Sequence, residues 1–225
     1  MSPVSCALFD MDGLLLDTEI IYTKVTQKIV GRFGKTFDWS IKSNMIGRAA
    51  IESARYLVQT LDLPITAEQY LEERNGMLRQ AFADSDALPG AERLIRHLKA
   101  MQIPIAVATS SDRDLFEIKT TLHKSWFNLF DTVVTGDHPE VGAAKPAPDI
   151  FLVAARRLGQ DAGKALVFED APSGLQAGKS AGMQVVAIPD QNMDRGRYTE
   201  ADMVLDSLLD FKPEAFGLPA FTLEV

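Results

Sequence analysis

The segment "ALFDMDGLLLDTE", residues 7–19, ends an apolar run with two carboxylates, Asp10 and Asp12. The run from Val4 to Phe9 has the apolar composition of a buried strand. Two like charges that lie so close together repel each other, so they need a nearby cation or different protonation states. The segment therefore predicts a buried strand that delivers two acids to a functional site.

Six apolar runs along the chain are predicted strands, and helical patterns lie between them. The predicted strands are "SCALFD", "IPIAVAT", "DTVVTG", "ALVFED", "MQVVAIPD" and "ADMVLD". Helix start signals precede two of the intervening segments, Pro89-Gly90 before "AERLIRHLKA" and Pro148-Asp149 before "IFLVAARRLG". This alternation predicts an α/β fold with a Rossmann-like parallel sheet.

One long interval, from Asp17 to about Asp86, contains no strand-like run. Its first helical pattern has apolar residues at four-residue spacing, namely Ile21, Val25, Ile29 and Phe33. We expect residues 17–86 to form a helical insertion, and residues 1–16 and 87–225 to form the α/β core.

Composition limits the classes of function. The chain has 225 residues, 46% of them hydrophobic, and its net charge of -8 has the wrong sign for a general nucleic-acid or anionic-membrane binder. The single cysteine, Cys6, lies in the first apolar run and allows no disulfide framework, and the three histidines have no zinc-site spacing. No apolar stretch is long enough to span a bilayer. We therefore expect a cytoplasmic protein.

Ligands of open parallel sheets bind beyond the carboxyl ends of the strands, so the residues that follow each run are candidates for the site. These candidates are Asp10, Asp12, Thr109, Ser110, Glu169 and Asp170. Lys145 joins them from "AAKPAPD", where two prolines stiffen the turn before a helix. A hard divalent cation, ordinarily Mg²⁺, would offset the repulsion between the acids. A carboxylate beside such an ion stays nucleophilic at neutral pH.

Each candidate also has a plainer explanation when it is taken alone. Asp12 and Asp170 are placed where acids often cap a following helix, and Thr109 or Ser110 could cap a helix that begins near Arg113. An isolated Lys145 is more often a solvated side chain than a phosphate ligand. The combination favours a metal and phosphate site, because all four segments reach the same edge of the sheet.

Four motifs resemble those of the haloacid dehalogenase superfamily, and of its phosphatase branch in particular. They are "FDMDGLLLDTE", "VATSS", "KPAPDIF" and "VFEDAPSGLQAGKSAGM", and the resemblance covers nearly the whole chain. The helical insertion after the first motif resembles the α-helical cap of that superfamily. The resemblance thus implies a hydrolase with a Rossmann-like core and an inserted cap.

The resemblance also implies a role for each candidate residue. Asp10 would attack phosphorus to give an aspartyl-phosphate, and Asp12 would act as general acid and then as general base. The implied Mg²⁺ ligands are the Asp10 carboxylate, the Asp12 backbone carbonyl and Asp170, with Glu169 bound directly or through water. The phosphoryl oxygens would be held by Thr109, the Ser110 backbone and Lys145.

The substrate implied by the resemblance is a small phosphorylated metabolite. "GDHPEVGAAKPAPDIF", "VFEDAPSGLQAG" and "DSLLDFKPEAFGLP" are similar to family phosphatases that act on pseudouridine 5'-phosphate. That compound or a sugar phosphate is therefore the expected substrate, and the oligomeric state stays open. The candidates for specificity in the cap are Arg48, Tyr56, Arg74 and Asn75.

Three other functions are compatible with this fold. A hydrolytic dehalogenase has no alkoxide to protonate, so the presence of Asp12 argues against it. A β-phosphoglucomutase needs an arginine at a set distance after a cap glycine, whereas Arg48 directly follows Gly47. A non-catalytic metabolite-binding protein would have no need for the complete set of acids with Lys145.

Overall fold

The computed structural model of the chain describes residues 2–46 and 50–221, and its core is a six-stranded parallel sheet. The strands, in chain order, are β1 (Cys6–Phe9), β2 (Ile105–Ala108), β3 (Thr132–Val134), β4 (Ala165–Glu169), β5 (Gln184–Ala187) and β6 (Met203–Val204). Their spatial order is β3-β2-β1-β4-β5-β6. All six predicted strands are confirmed, and so is the α/β fold.

The first strand, β1, lies in the middle of the sheet. Phe9 pairs with Val107 of β2 on one side and with Phe168 of β4 on the other. Side chains of β1 alternate between two apolar clusters on opposite faces, with Phe9 in one and Leu8 in the other. Because both faces are buried, the strand is a continuous apolar run in the sequence. The residue after it, Asp10, is therefore placed at the centre of the carboxyl edge.

Helices cover both faces of the sheet. The core helices are α5 (Ala91–Ala100), α6 (Arg113–Lys119), α7 (Lys124–Phe127), α8 (Asp149–Arg157) and α9 (Pro172–Ser180). Both predicted helix starts are confirmed, since α5 follows Gly90 and α8 follows Pro148. Gly90 has φ +89°, and a Cβ there would lie 2.7 Å from the Leu209 backbone nitrogen.

The interval without strands folds as helices around a separate apolar cluster. These helices are α1 (Thr18–Gly31), α2 (Trp39–Lys42), α3 (Ala50–Leu61) and α4 (Ala67–Ala81), followed by a short 3₁₀ turn, Phe82–Asp84. Asp17 caps α1 by accepting a hydrogen bond from the Ile20 N–H, 3.3 Å away. The cluster contains Ile21, Val25 and Ile29, which the four-residue spacing predicts, while Phe33 is only partly buried against it.

The chain enters and leaves this helical segment at neighbouring points. The Asp17 N–H donates to the Asp86 carbonyl at 2.9 Å, and the Leu88 N–H donates to the Leu15 carbonyl at 2.9 Å. Both crossings follow directly on the loop after β1, so the helical segment lies beside the carboxyl edge of the sheet.

Within residues 2–46 and 50–221, no helix has the combination of length and apolar content that crossing a membrane requires.

Candidate active site

The Lys145 ammonium lies at the centre of the carboxyl edge. Its Nζ is 2.5 Å from Asp10 Oδ1 and 2.6 Å from Glu169 Oε1, and it donates to the Ala108 carbonyl at 3.0 Å. All three charged side chains are buried. Lys145 therefore ties together the ends of β1, β2 and β4, and the explanation of this lysine as a solvated side chain is wrong.

Glu169 is held from two sides. Its Oε1 contacts Lys145, and its Oε2 accepts the N–H groups of Asp170 and Ala171, each at 3.1 Å. Helix α9 begins directly after these amides, so the carboxylate lies at the positive end of a helix. A Cβ on Gly174 would lie 1.8 Å from Glu169 Oε1, so only glycine leaves room for this carboxylate.

Three acids form a cluster of the kind that binds a metal ion. Asp10, Glu169 and Asp170 each present a ligand atom, and these atoms all lie within 4.8 Å of one another. Burial raises the pKa of Asp10 to about 7, because the neighbouring acids Glu169 and Asp12 add to it and Lys145 offsets it only in part. Burial and the same neighbours raise the pKa of Asp170 well above its usual range. Two buried acids and one partly buried acid, all offering oxygen donors, fit a hard divalent cation.

Gly13 shapes the wall of this cluster. Its φ is +79°, and a Cβ there would lie 2.4 Å from Asp170 Oδ2. The glycine after the second acid of the opening segment therefore allows the loop to approach Asp170 closely.

Asp12 faces a second buried lysine. Lys119 Nζ lies 2.6 Å from Asp12 Oδ1, the Ser111 hydroxyl donates to Asp12 Oδ2 at 2.9 Å, and Lys119 also donates to Ser111 Oγ at 2.9 Å. Burial raises the pKa of Asp12, but the attraction of the Lys119 ammonium and the hydrogen bonds that the carboxylate accepts from Lys119 and Ser111 together leave the pKa below its usual value. The environments of Asp10 and Asp12 thus shift their pKa values in opposite directions, so the two neighbouring acids do not titrate as an equivalent pair.

The predicted phosphate ligands after β2 differ from each other. Thr109 is fully buried, and its Oγ1 accepts the Ser111 N–H at 3.1 Å, whereas Ser110 is exposed. Neither residue caps the following helix, because Asp112 is the N-cap of α6. The explanation of this segment as a helix cap is therefore wrong for both residues.

Sequence reasoning misses three residues that contact the predicted site. Two are Lys119 and Ser111, described above, and the third is Tyr198, whose hydroxyl donates to the Asp170 carbonyl at 2.6 Å. A signal for Lys119 exists, because this lysine is three residues after the apolar Phe116 in a helical segment. Such a lysine is on the buried face of the helix and needs a partner.

A cavity of about 340 Å³ lies among the helices of the inserted segment. Its polar lining includes Glu19, Tyr22, Thr23, Ser53, Tyr70 and Arg74. The Tyr22 ring centre is 5.9 Å from the Lys119 ammonium, which in turn contacts Asp12. Glu19 also lines a smaller cavity that reaches Asp170. One lining residue, Tyr22, is therefore close to the lysine that contacts Asp12, and another, Glu19, is shared with the cavity that reaches Asp170.

The predicted specificity residues have different positions relative to this cavity. Arg74 lines it, whereas Tyr56 packs against the apolar cluster of the insertion and Asn75 is exposed. Arg48 lies outside the described residues.

Comparison with known proteins gives the class of the protein. The family model of haloacid dehalogenase-like hydrolases matches residues 7–188, so the chain belongs to this family.

Two relatives and one solved structure show which individual proteins the chain is similar to. The chain is 52% identical to the Arabidopsis thaliana protein "(DL)-glycerol-3-phosphatase 1, mitochondrial", over 97% of this chain and 75% of that protein. It is 46% identical to a Drosophila melanogaster protein named "Probable pseudouridine-5'-phosphatase", over 97% of this chain and 96% of that protein. A β-phosphoglucomutase structure from Clostridium difficile has a TM-score of 0.72 and 23% identity, over 94% of this chain and 95% of that chain. The last likeness shows a shared fold alone.

Proposed function

We propose that this chain is a Mg²⁺-dependent phosphatase that hydrolyses a small phosphate monoester through an aspartyl-phosphate on Asp10. One observation carries the proposal. The carboxylates of Asp10 and Asp12 contact different buried lysines, so Asp10 can act as nucleophile while Asp12 donates and accepts protons.

The reaction has two steps. In the first, the Asp10 carboxylate attacks phosphorus, the bond from phosphorus to the ester oxygen breaks, and Asp12 gives a proton to the leaving alkoxide. In the second, water attacks the phosphorus, the bond between phosphorus and Asp10 breaks, and Asp12 takes a proton from that water. Thr109, the Ser110 backbone and Lys145 hold the phosphoryl oxygens in both steps.

The metal ligands in this proposal are Asp10, Asp170, the backbone carbonyl of Asp12 and Glu169. The cluster of Asp10, Glu169 and Asp170 supports the assignment, because it brings three carboxylates together. Lys145 forms ion pairs with two of them, Asp10 and Glu169. Bound Mg²⁺ supplies positive charge that lowers the repulsion between Asp10 and the phosphate dianion. Because Glu169 is bound by Lys145 and by two backbone amides, we propose that it reaches the ion through water.

The leaving group is proposed to be a primary alcohol that carries further hydroxyls. Glycerol 3-phosphate and pseudouridine 5'-phosphate, the substrates in the names of the two relatives, share this chemistry. A primary alkoxide is a poor leaving group, so its departure needs a proton donor such as Asp12. Hydroxyls of the alcohol match the polar lining of the 340 Å³ cavity, where Thr23, Ser53 and Arg74 can form hydrogen bonds.

This assignment gives the helical segment its role. We propose that residues 17–86 are a cap that binds the alcohol, and that residues 1–16 and 87–225 are the catalytic core. The apolar cluster within residues 21–82 supports a separate unit, although Leu115 and Ile118 of α6 also pack against it.

A small metabolite is the proposed partner, with no role for nucleic acid or membrane, and the proposed location is the cytoplasm. The net charge of -8 supports the first point, since it repels polyanions. Cys6 supports the second, because this buried cysteine is a free thiol, the form that reducing compartments maintain.

Phosphate release from a panel of monoesters tests the proposal. The panel contains glycerol 3-phosphate, pseudouridine 5'-phosphate and a sugar phosphate, each with Mg²⁺ and again with a chelator. We expect Mg²⁺-dependent release from at least one primary-alcohol ester, and Arg74→Met should lower kcat/KM for that ester. The control is Arg55→Met, since Arg55 is an exposed cap arginine paired with Glu68. No release from any ester would contradict the proposal.

A further inference from the structure

We propose that Lys119 is a positioning residue that fixes Asp12 for the hydrolysis of the aspartyl-phosphate. This inference rests on the proposed function, which gives Asp12 its proton-transfer role. It concerns a residue that none of the recognised motifs contains.

The contacts around Asp12 form a closed triangle. Lys119 donates to Asp12 and to Ser111, and Ser111 donates to the other oxygen of Asp12, with all three distances between 2.6 and 2.9 Å. Two donors that bind different carboxylate oxygens leave the side chain little rotational freedom. Both hydrogen bonds are donated to Asp12, so the arrangement suits the proton-accepting carboxylate that the second step needs.

Aromatic side chains of the cap cover the lysine. Lys119 Nζ lies 4.3 Å from the ring centre of Phe82 and 5.9 Å from that of Tyr22, and the side chain is only 1% exposed. Phe82 is in the 3₁₀ turn where the cap returns to the core. Burying a lysine is costly, and packed apolar side chains often replace buried ion pairs without loss of stability. A purely structural role would therefore not require an ammonium at this position.

The balance of the second step shows what Lys119 would affect. Water forms a bond to phosphorus, the bond between phosphorus and Asp10 breaks, inorganic phosphate leaves, and the proton of the water moves to Asp12. In the next turnover Asp12 gives this proton to the alkoxide. If Asp12 rotates away, the attacking water has no aligned base, and the aspartyl-phosphate accumulates.

The test uses 4-nitrophenyl phosphate with Mg²⁺, because its leaving group departs without a proton donor. For Lys119→Met we expect kcat to fall by about 10²-fold. KM should fall by the same factor, so that kcat/KM is unchanged. Rapid-quench measurement should show a burst of one nitrophenolate per enzyme, and mass spectrometry should find one phosphoryl group on the chain.

Two further variants keep the test decisive if Lys119→Met does not fold. Ser111→Ala removes one donor of the triangle and should change kcat and KM in the same direction by a smaller factor. Lys179→Met is the control, because it breaks another partly buried lysine–aspartate pair, in which Lys179 lies 2.8 Å from Asp202. Its kcat and KM should equal those of the wild type, and like the wild type it should show no large burst.

The outcomes separate the two proposals. A wild-type protein without Mg²⁺-dependent turnover contradicts the proposed function, and the positioning role with it. If the wild type turns over but neither Lys119→Met nor Ser111→Ala shows a burst, the positioning role alone is overturned. This holds whether kcat of the variants falls at constant KM or does not change.

Discussion

Asp10 and Asp12 are two residues apart in the chain, yet their carboxylates contact the ammonium groups of different lysines, at 2.5 Å from Lys145 and 2.6 Å from Lys119. The two lysines come from different parts of the core, one before α8 and the other from the last turn of α6. Each acid can therefore change its charge or its covalent state while the other keeps its own partner.

The first prediction is that Asp10→Asn abolishes turnover and leaves the fold intact. The change is nearly isosteric and removes the nucleophilic oxygen charge, so kcat should fall by about 10³-fold or more. The check is phosphate release together with circular dichroism. Asp112→Asn is the matched control, because asparagine also caps a helix and Asp112 caps α6. Activity within a few-fold of the wild type in Asp10→Asn would contradict the covalent mechanism.

The second prediction concerns pH and Mg²⁺. The pKa of Asp10 is raised from 3.8 to about 7, so in protein without metal its contribution to stability is present below the lower value and is lost as pH rises through the higher one. The pKa of Asp170 is raised as well. Mg²⁺ competes with protons for these acids, so it should raise Tm more at about pH 8 than at about pH 5.5. Thermal unfolding with and without Mg²⁺ measures the difference, and an equal rise at both pH values argues against the metal cluster.

The third prediction is that Asp170→Asn weakens the response to Mg²⁺. Loss of one carboxylate from the cluster should raise the Mg²⁺ concentration for half-maximal activity by about tenfold or more. Ca²⁺ should inhibit the wild type, because this larger ion takes more oxygen ligands and can bind both oxygens of Asp10. Titrations of activity with each ion measure both effects. Full activity after dialysis against excess EDTA would contradict the need for Mg²⁺ and the assignment of Asp170 as its ligand.

The fourth prediction compares two helical glycines. Gly174→Ala places a methyl group 1.8 Å from Glu169 Oε1, so Glu169 must leave Lys145 or α9 must move, and both stability and activity should fall. Gly76→Ala in α4 meets nothing within 4 Å and should raise the free energy of unfolding by about 1 kcal/mol. Urea unfolding measures both changes. If the two variants behave alike, the close approach of Gly174 to Glu169 has no energetic importance.

The fifth prediction separates hydrolysis from phosphoryl transfer. A mutase must hold a bisphosphorylated intermediate, whereas a phosphatase needs one phosphate site, here proposed at Thr109 and Lys145, and must admit water. In an incubation with β-glucose 1-phosphate and a trace of the 1,6-bisphosphate, glucose 6-phosphate should therefore not accumulate faster than inorganic phosphate. Faster accumulation of glucose 6-phosphate would favour the mutase alternative.

The core of this fold is predictable from the sequence because its central strands are buried on both faces. Such strands are continuous apolar runs, and a parallel sheet brings the polar residues that follow them to one edge, as it does for Asp10 and Glu169. The confirmed strand β6 is the shortest, since Met203–Val204 pairs only at the edge of the sheet. The proposed roles of the site residues stay predictions.

The triangle around Asp12 is not predictable in the same way. Lys119 and Asp12 are separated by 107 residues, and their contact depends on how α6 packs between the sheet and the inserted helices. The sequence pattern indicates that Lys119 faces inward but does not identify the acid that it meets. The same holds for the cavity, whose lining comes from α1 to α4 and the loops beside α2, and depends on the angles between those helices.

The paired crossings at Asp17 and Asp86 have a consequence for protein engineering. Because the ends of the inserted segment already meet through backbone hydrogen bonds, a replacement segment of another length would add little loop-closure entropy. The strands and the acid clusters lie outside the exchanged stretch. A chimaera that keeps residues 1–16 and 87–225 and carries a foreign helical insert is thus a feasible route to a catalyst with new selectivity.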